Sequence, residues 1–126
     1  MDFDASVPIY LQIMEQIRER VVSGQWGTGE RVAAVRELAA QFSVNPNTMQ
    51  RALAELEREE LLKSERTSGR FVTTDTALIA RYRRELVRER TARFMEDMAR
   101  LGLSREEVLD AVQGGLENSE AGERGQ

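Results

Sequence analysis

The chain contains neither cysteine nor histidine. That excludes disulfides, a thiol nucleophile, an imidazole base and the common zinc sites, so catalysis would fall to carboxylate, hydroxyl, lysine or tyrosine groups. Among those groups the sequence offers no nucleophile paired with a base, no phosphate loop and no metal cluster; an enzyme is not expected, and neither is a cofactor or a metal. No apolar run approaches the roughly 18 to 20 residues that cross a bilayer. Asp2 and Asp4 stand where a signal peptide would be positive. A cytoplasmic protein without a membrane partner is the expectation. Proline is scarce as well: there are 2, Pro8 and Pro46, each where a helix could begin.

At 126 residues and 40% apolar content, the chain can form one compact domain plus an appendage. Its most organised stretch is Arg31 to Val72, RVAAVRELAAQFSVNPNTMQRALAELEREELLKSERTSGRFV. Val35, Leu38, Ala39 and Phe42 recur at intervals of three and four, which predicts a short amphipathic helix. After a break at Ser43-Val44, Asn45 supplies a capping side chain and Pro46 a first helical residue. In this second helix Met49, Ala52, Leu53, Leu56 and Leu61 continue the stripe, while Asn47, Thr48, Gln50 and Arg51 lie on the first turns and mostly off it. The polar end is left to touch something. Two short helices, a tight turn and a small residue, Ala39, inside the first match a helix-turn-helix, whose second helix enters the major groove. The turn's usual glycine falls at Ser43, and Val44 and Met49 fall where the turn is anchored. Leu61 to Glu65 and Arg70 to Thr73 then flank Arg66-Thr67-Ser68-Gly69, two short strands around a polar turn, the wing. The expected fold class is mostly α with a small β wing (α+β): a winged helix-turn-helix DNA-binding domain followed by two carboxy-terminal dimerisation helices.

VRELAAQFSVNPNTMQRALAELE followed by SGRFV resembles the GntR family of bacterial transcription regulators, and the VNPNT string resembles its YtrA-like subfamily. The resemblance covers roughly residues 8 to 74, with helix, turn, helix and wing at the family's separations. Two departures stand out. The family's Pro-Ser before the first of these helices is Ala33-Ala34, which loses a cap, and the first glycine of its wing Gly-x-Gly is Thr67, which makes the tip bulkier. The resemblance implies that Arg36 grips DNA, and that Pro46 replaces an arginine common in other branches, shifting the reading helix toward hydrogen bonding. It also implies dimerisation through a short carboxy-terminal helix pair. Larger members carry an effector domain of well over a hundred residues, and about 50 residues follow the wing here, so a dedicated metabolite pocket is not expected. No polar cluster marks an inducer site.

The net charge of −4, with pI near 5.0, runs against phosphate binding until the charges are placed. Arg31, Arg36 and Arg51 face only Glu37 between residues 31 and 51, and Lys63, Arg66 and Arg70 face only Glu65 in the wing. Each segment is net positive by two. The acidic excess sits at Glu55, Glu57, Glu59 and Glu60 and in the tail.

In chain order, residues 1 to 7 are expected to be loosely held. A supporting helix then carries Ile9, Tyr10, Ile13, Met14, Ile17, Val21 and Val22 and stops at Ser23-Gly24. Trp26, bracketed by glycines 24, 27 and 29, is expected to plug a core edge. Relatives of the resembling family often add a strand here, and Arg31-Val32 would make the sheet three-stranded. Thr76 is a candidate cap for a helix of about 25 residues through Leu101, with Val87, Thr91, Phe94, Met98 and Leu101 forming a seam that Ile79, Tyr82 and Leu86 extend. Gly102 breaks it, Ser104 and Glu107 form a capping box, and a last helix with Val108, Leu109 and Val112 is expected to end at Gly114-Gly115. The boundaries expected are 1–75 for the winged helix, 76–116 for the dimerisation region and 117–126 for a disordered tail. The seam either packs back on the winged helix or, as preferred, meets a second copy in an isologous dimer, with Leu109 joining it. RYRRELVRER, residues 81 to 90, reads first as a solvated face of Arg and Glu pairs and second as a phosphate strip.

Double-stranded operator DNA is the expected partner, bound as a homodimer. Asn47 and Gln50 suit adenine, Thr48 a phosphate or thymine methyl, and Arg51 guanine or phosphate. Asn45 divides between capping and contact. The wing would add Lys63, Arg66, Ser68, Gly69 and Arg70. The alternative is a winged-helix protein-interaction module that does not read DNA.

Overall fold

The computed structural model describes residues 3–124. Pro8 precedes helix α1, Ile9–Val22, and the face bearing Ile13, Met14, Ile17, Val21 and Val22 is buried. The expected stop holds: the Ser23 N–H donates to the Glu19 carbonyl and Gly24 takes φ +82°. From Asp4 the chain ahead of α1 is tied down rather than loose, and residues 1 and 2 of the segment expected to be loose lie outside the described residues. The Asp4 carboxylate accepts from the Ser6 N–H at 2.8 Å, and the Gln12 amide reaches back to the Asp4 and Val7 carbonyls at 2.7 and 2.8 Å.

Helix α2, Val35–Phe42, buries Leu38, Ala39 and Phe42. Ser43 then adopts φ 56°, ψ 46°, the left-handed conformation that the glycine position of the turn demands. Asn45 caps helix α3, Pro46–Arg58, by accepting the Asn47 N–H at 2.8 Å. α3 packs against both α1 and α2. Its Met49, Ala52, Leu53 and Leu56 join Ile13, Ile17, Leu38 and Phe42 in a core without measurable exposure at most of these positions. Each such large side chain contributes about 1.5–3 kcal/mol by leaving water.

α3 ends where Glu60 turns left-handed at φ +66° and the Leu61 N–H returns to the Leu56 carbonyl at 3.1 Å. Strands β1, Leu62–Glu65, and β2, Gly69–Val72, follow and pair antiparallel, Leu62 opposite Val72 and Glu65 opposite Gly69. The anticipated third strand shrinks to a single bridge, Arg31 to Phe71, flanked by Gly29 N–H to Val72 O at 3.0 Å and Val32 N–H to Arg70 O at 2.8 Å. A turn at Gly27 to Glu30 on one side and the start of α2 on the other leave no length for more.

Thr73 is buried, and its hydroxyl accepts the Asp75 N–H at 3.0 Å. Asp75, rather than Thr76, caps helix α4, Thr76–Arg100, by accepting the Leu78 N–H at 3.0 Å. A carboxylate satisfies an amide at the positive end of a helix better than a hydroxyl does.

The chain forms two compact units, the first reaching Glu85 and the second starting at Leu86. The first therefore passes the expected boundary at residue 75, because the opening turns of α4 belong to it. Ile79 is buried, and Arg83 donates from Nε and Nη2 to the Val22 carbonyl at 2.9 and 2.6 Å, satisfying the end of α1. Arg20 is stacked between Phe42 and Trp26, 4.6 and 5.6 Å from the ring centroids, which fixes the half-buried tryptophan at the core edge.

In the second unit α4 ends at Gly102, φ +79°, and helix α5 runs Arg105–Arg124. The capping box is present: the Ser104 N–H donates to Glu107 at 3.0 Å and the Glu107 N–H to Ser104 Oγ at 3.2 Å. α5 does not stop at Gly114-Gly115, and the stretch expected to be disordered from residue 117 is helical through Arg124; residues 125 and 126 lie outside the described ones. A glycine inside a helix costs roughly 1 kcal/mol, which weakens a helix without obliging it to end. Gln113 and Glu117 meet across the pair at 3.4 Å.

Candidate nucleic-acid interface

The first turns of α3 present the side chains that the stripe leaves over. Asn47 and Gln50 are exposed, Thr48 is half-buried, and Asn45 is engaged as the cap while remaining exposed. Arg36 is exposed on the first turn of α2. Arg51 is exposed, and its guanidinium carbon lies 3.8 Å from the centroid of the Tyr10 ring. Ile9 and Tyr10 of α1 border one open cleft with Asn47, Thr48 and Arg51 of α3, about 380 Å³ in volume.

In the wing, Lys63, Arg66, Ser68 and Gly69 are exposed. Arg70 is different. Its Nε donates to the Glu57 carboxylate, which also accepts from Ser64 Oγ, so one carboxylate of α3 holds a residue from each strand. Partial burial pushes the Glu57 carboxyl up, but the hydrogen bonds from Ser64 and Arg70 and the charge of Arg70 outweigh it and leave the group below its ordinary value. Arg70 is thus a strut of the wing before it is anything else.

Arg31 joins the site beyond the contact residues expected from the sequence. Its guanidinium lies across Gly69, where an added Cβ would stand 3.1 Å from Arg31 Nε, and the φ of +107° there independently calls for glycine. The two border a cleft of about 610 Å³ between the wing and the start of α2, which Val35, Glu37, Glu65 and Arg70 also line. Its sequence signals are its charge and the strand expected at Arg31-Val32. Its placement comes from the bridge to Phe71.

The acidic end of α3 is largely neutralised at short range. Glu55 pairs with Arg58 at 3.3 Å, Glu57 with Arg70, and Glu59 with Arg18 of α1 through two hydrogen bonds. These carboxylates act as ties within the first unit, so the net charge of the chain overstates the field that the reading end of α3 presents.

The expected dimerisation residues divide by exposure. Ile79 and Leu86 are buried and Tyr82 is half-buried, whereas Val87, Phe94, Leu101 and Leu109 are exposed at 60%, 39%, 70% and 60%, and Met98 is intermediate. Met95, Val112 and Leu116 add exposed apolar surface beside them. The Thr91 hydroxyl is turned back onto the Val87 carbonyl at 2.7 Å. Among the described residues, no helix is long and apolar enough to cross a membrane.

Residues 9–72 match the gntR family of bacterial regulatory proteins. An uncharacterised HTH-type transcriptional regulator of Bacillus subtilis, YhcF, is 38% identical over 110 residues, 87% of this chain and 91% of that protein. The HTH-type transcriptional repressor YtrA of the same organism is 29% identical over 126 residues, covering 94% of this chain and 97% of the repressor. Among solved structures, a GntR family transcriptional regulator from Listeria monocytogenes superposes with TM-score 0.79 at 37% identity, over 89% of this chain and 98% of that one. The AraR DNA-binding domain, solved in complex with operator ORR3, superposes with TM-score 0.51 at 27% identity, over 58% of this chain and 88% of that one. With the helix-turn-helix, the wing and two further helices in this order and at this length, the chain belongs to the GntR family of bacterial transcription regulators and fits its YtrA-like subfamily.

Proposed function

We propose that the protein is a cytoplasmic transcriptional repressor that binds a two-fold operator as a homodimer, each copy laying α3 in a major groove. The observation that carries this reading is the exposed Asn47 and Gln50 on the first turns of a capped helix. Amides there pair with adenine edges, and the flanking cations Arg36, Lys63 and Arg66 meet the phosphates. Arg31 joins that phosphate set, Ser68 and Gly69 bring the wing tip close to the backbone, and Arg70 acts through the wing it braces. Repression is the sign of control named for YtrA.

The dimer reading rests on the exposed Val87, Phe94, Leu101 and Leu109, which a second copy would cover. A two-fold operator would then require the two reading helices to stand about 34 Å apart, one turn of duplex.

The experiment is selection from a randomised duplex library with the full chain, followed by binding of the selected duplex and the protein's own upstream region across a salt series. A two-fold consensus with a steep salt slope is expected. Failure to enrich any sequence, while the protein stays folded, would overturn the reading in favour of a protein-binding winged helix.

A further inference from the structure

Tyr10 has no part in the contacts assigned above, yet it sits against the reading helix. The Arg51 guanidinium is 3.8 Å from its ring centroid, well inside the roughly 6 Å within which a cation over a ring is attracted. The other cation-ring pairs of the first unit are longer, at 4.6, 5.4 and 5.6 Å. Arg51 itself remains exposed. A guanidinium carries its donors in its own plane, so a ring over one face leaves the edge able to pair while limiting the rotation of a long side chain. The ring belongs to the start of α1, in the cleft that also contains Asn47 and Thr48. A helix read as scaffold therefore borders the surface that faces DNA.

We infer that Tyr10 is a positioning residue for DNA reading: it stacks on Arg51 and holds the guanidinium edge ready for a planar pair of acceptors. Two sources on a duplex have that chemistry, the O6 and N7 atoms of a guanine and two oxygens of a phosphate. This rests on the reading that α3 enters the major groove.

The probes are a duplex selected by the parent protein from a random library and an unrelated duplex of equal length, both titrated with the full chain. Tyr10→Phe keeps the ring and should bind as the parent does. Tyr10→Leu should weaken the selected duplex by about twofold to fivefold, the scale that one exposed cation-ring contact supports. Combining it with Arg51→Ala should cost no more than Arg51→Ala alone, because the ring acts through the arginine. In Arg51→Ala, loss confined to the selected duplex, with one base position relaxed, assigns the guanine; loss on both duplexes, with a salt slope lower by about one, assigns the phosphate. Where Tyr10→Leu lowers the melting temperature, Tyr10→Met, which keeps bulk without a π face, carries the test. The Arg51 Nε–H resonance should also move when the ring is removed. Parent-like binding by both ring-less variants, or additive losses in the double variant, would overturn the inference. A parent that selects no sequence overturns instead the reading on which it rests.

Discussion

Ser43 and Glu60 hold backbone conformations that an L side chain resists, φ 56° and 66°, at the turn before α3 and just after its end. The left-handed region costs a non-glycine residue about 1–2 kcal/mol, and glycine returns part of that through the entropy of its unfolded chain. Ser43→Gly should therefore stabilise the protein by roughly 0.5–1 kcal/mol, seen as a higher denaturant midpoint at unchanged slope; a lower midpoint would refute it. Gln50→Ala tests reading at the same scale. It should relax preference at one base pair per half-site, worth about 1–3 kcal/mol, with nonspecific affinity nearly intact. The glycine position of the turn was legible at Ser43 because a helix-turn-helix fixes it by count, and the Asn45 cap because its partner is two residues away. The stack of Arg51 on Tyr10 and the grip of Glu57 on Arg70 were not. Periodicity tells which face a side chain occupies, and it does not tell which distant residue arrives opposite.

One carboxylate of α3, Glu57, ties a side chain from each wing strand to that helix. Glu57 is below its ordinary value near 4.5, so its contribution to stability is complete above that value and is lost as pH falls through the lower folded value. Glu57→Gln should accordingly destabilise the protein at neutral pH, and the gap between variant and parent should close in acid. Equal gaps at pH 7 and pH 3 by chemical denaturation would remove Glu57 as the lock. Helix ends were readable where a side chain caps them, as at Ser104 with Glu107, or where a glycine turns left-handed, as at Gly24 and Gly102, and misread at Gly114-Gly115, where both glycines stay helical; the α4 cap fell one residue early, on Asp75. Added Cβ atoms at both glycines would meet open space, so Gly114→Ala and Gly115→Ala should each stabilise α5 by about 0.5–1 kcal/mol. Far-UV circular dichroism through the melt reads the gain. The wing strands were legible to within a residue, while the third strand was cut to one bridge by a turn whose length composition does not reveal.

Across the whole molecule, the division of labour lies between a first unit with a filled core and a second with exposed Val87, Phe94, Leu101 and Leu109. Phe94→Asp would place a charge in the surface proposed to pair, at a cost of several kcal/mol to association. Light scattering should then report a monomer for the variant and a dimer for the parent, and operator affinity should fall with the loss of the second reading helix. A monomeric parent would refute the dimer. The same division has an optical side. Trp26 and both tyrosines, Tyr10 and Tyr82, lie in the first unit, and phenylalanine is the sole aromatic type in the second. Trp26, fixed beside Arg20, makes fluorescence a local witness to the reading unit, whereas amide circular dichroism sums over every helix. Recording both signals in one melt at several protein concentrations separates the two units without a label: the ellipticity that changes outside the fluorescence transition belongs to residues after Glu85, and its shift with concentration measures their self-association.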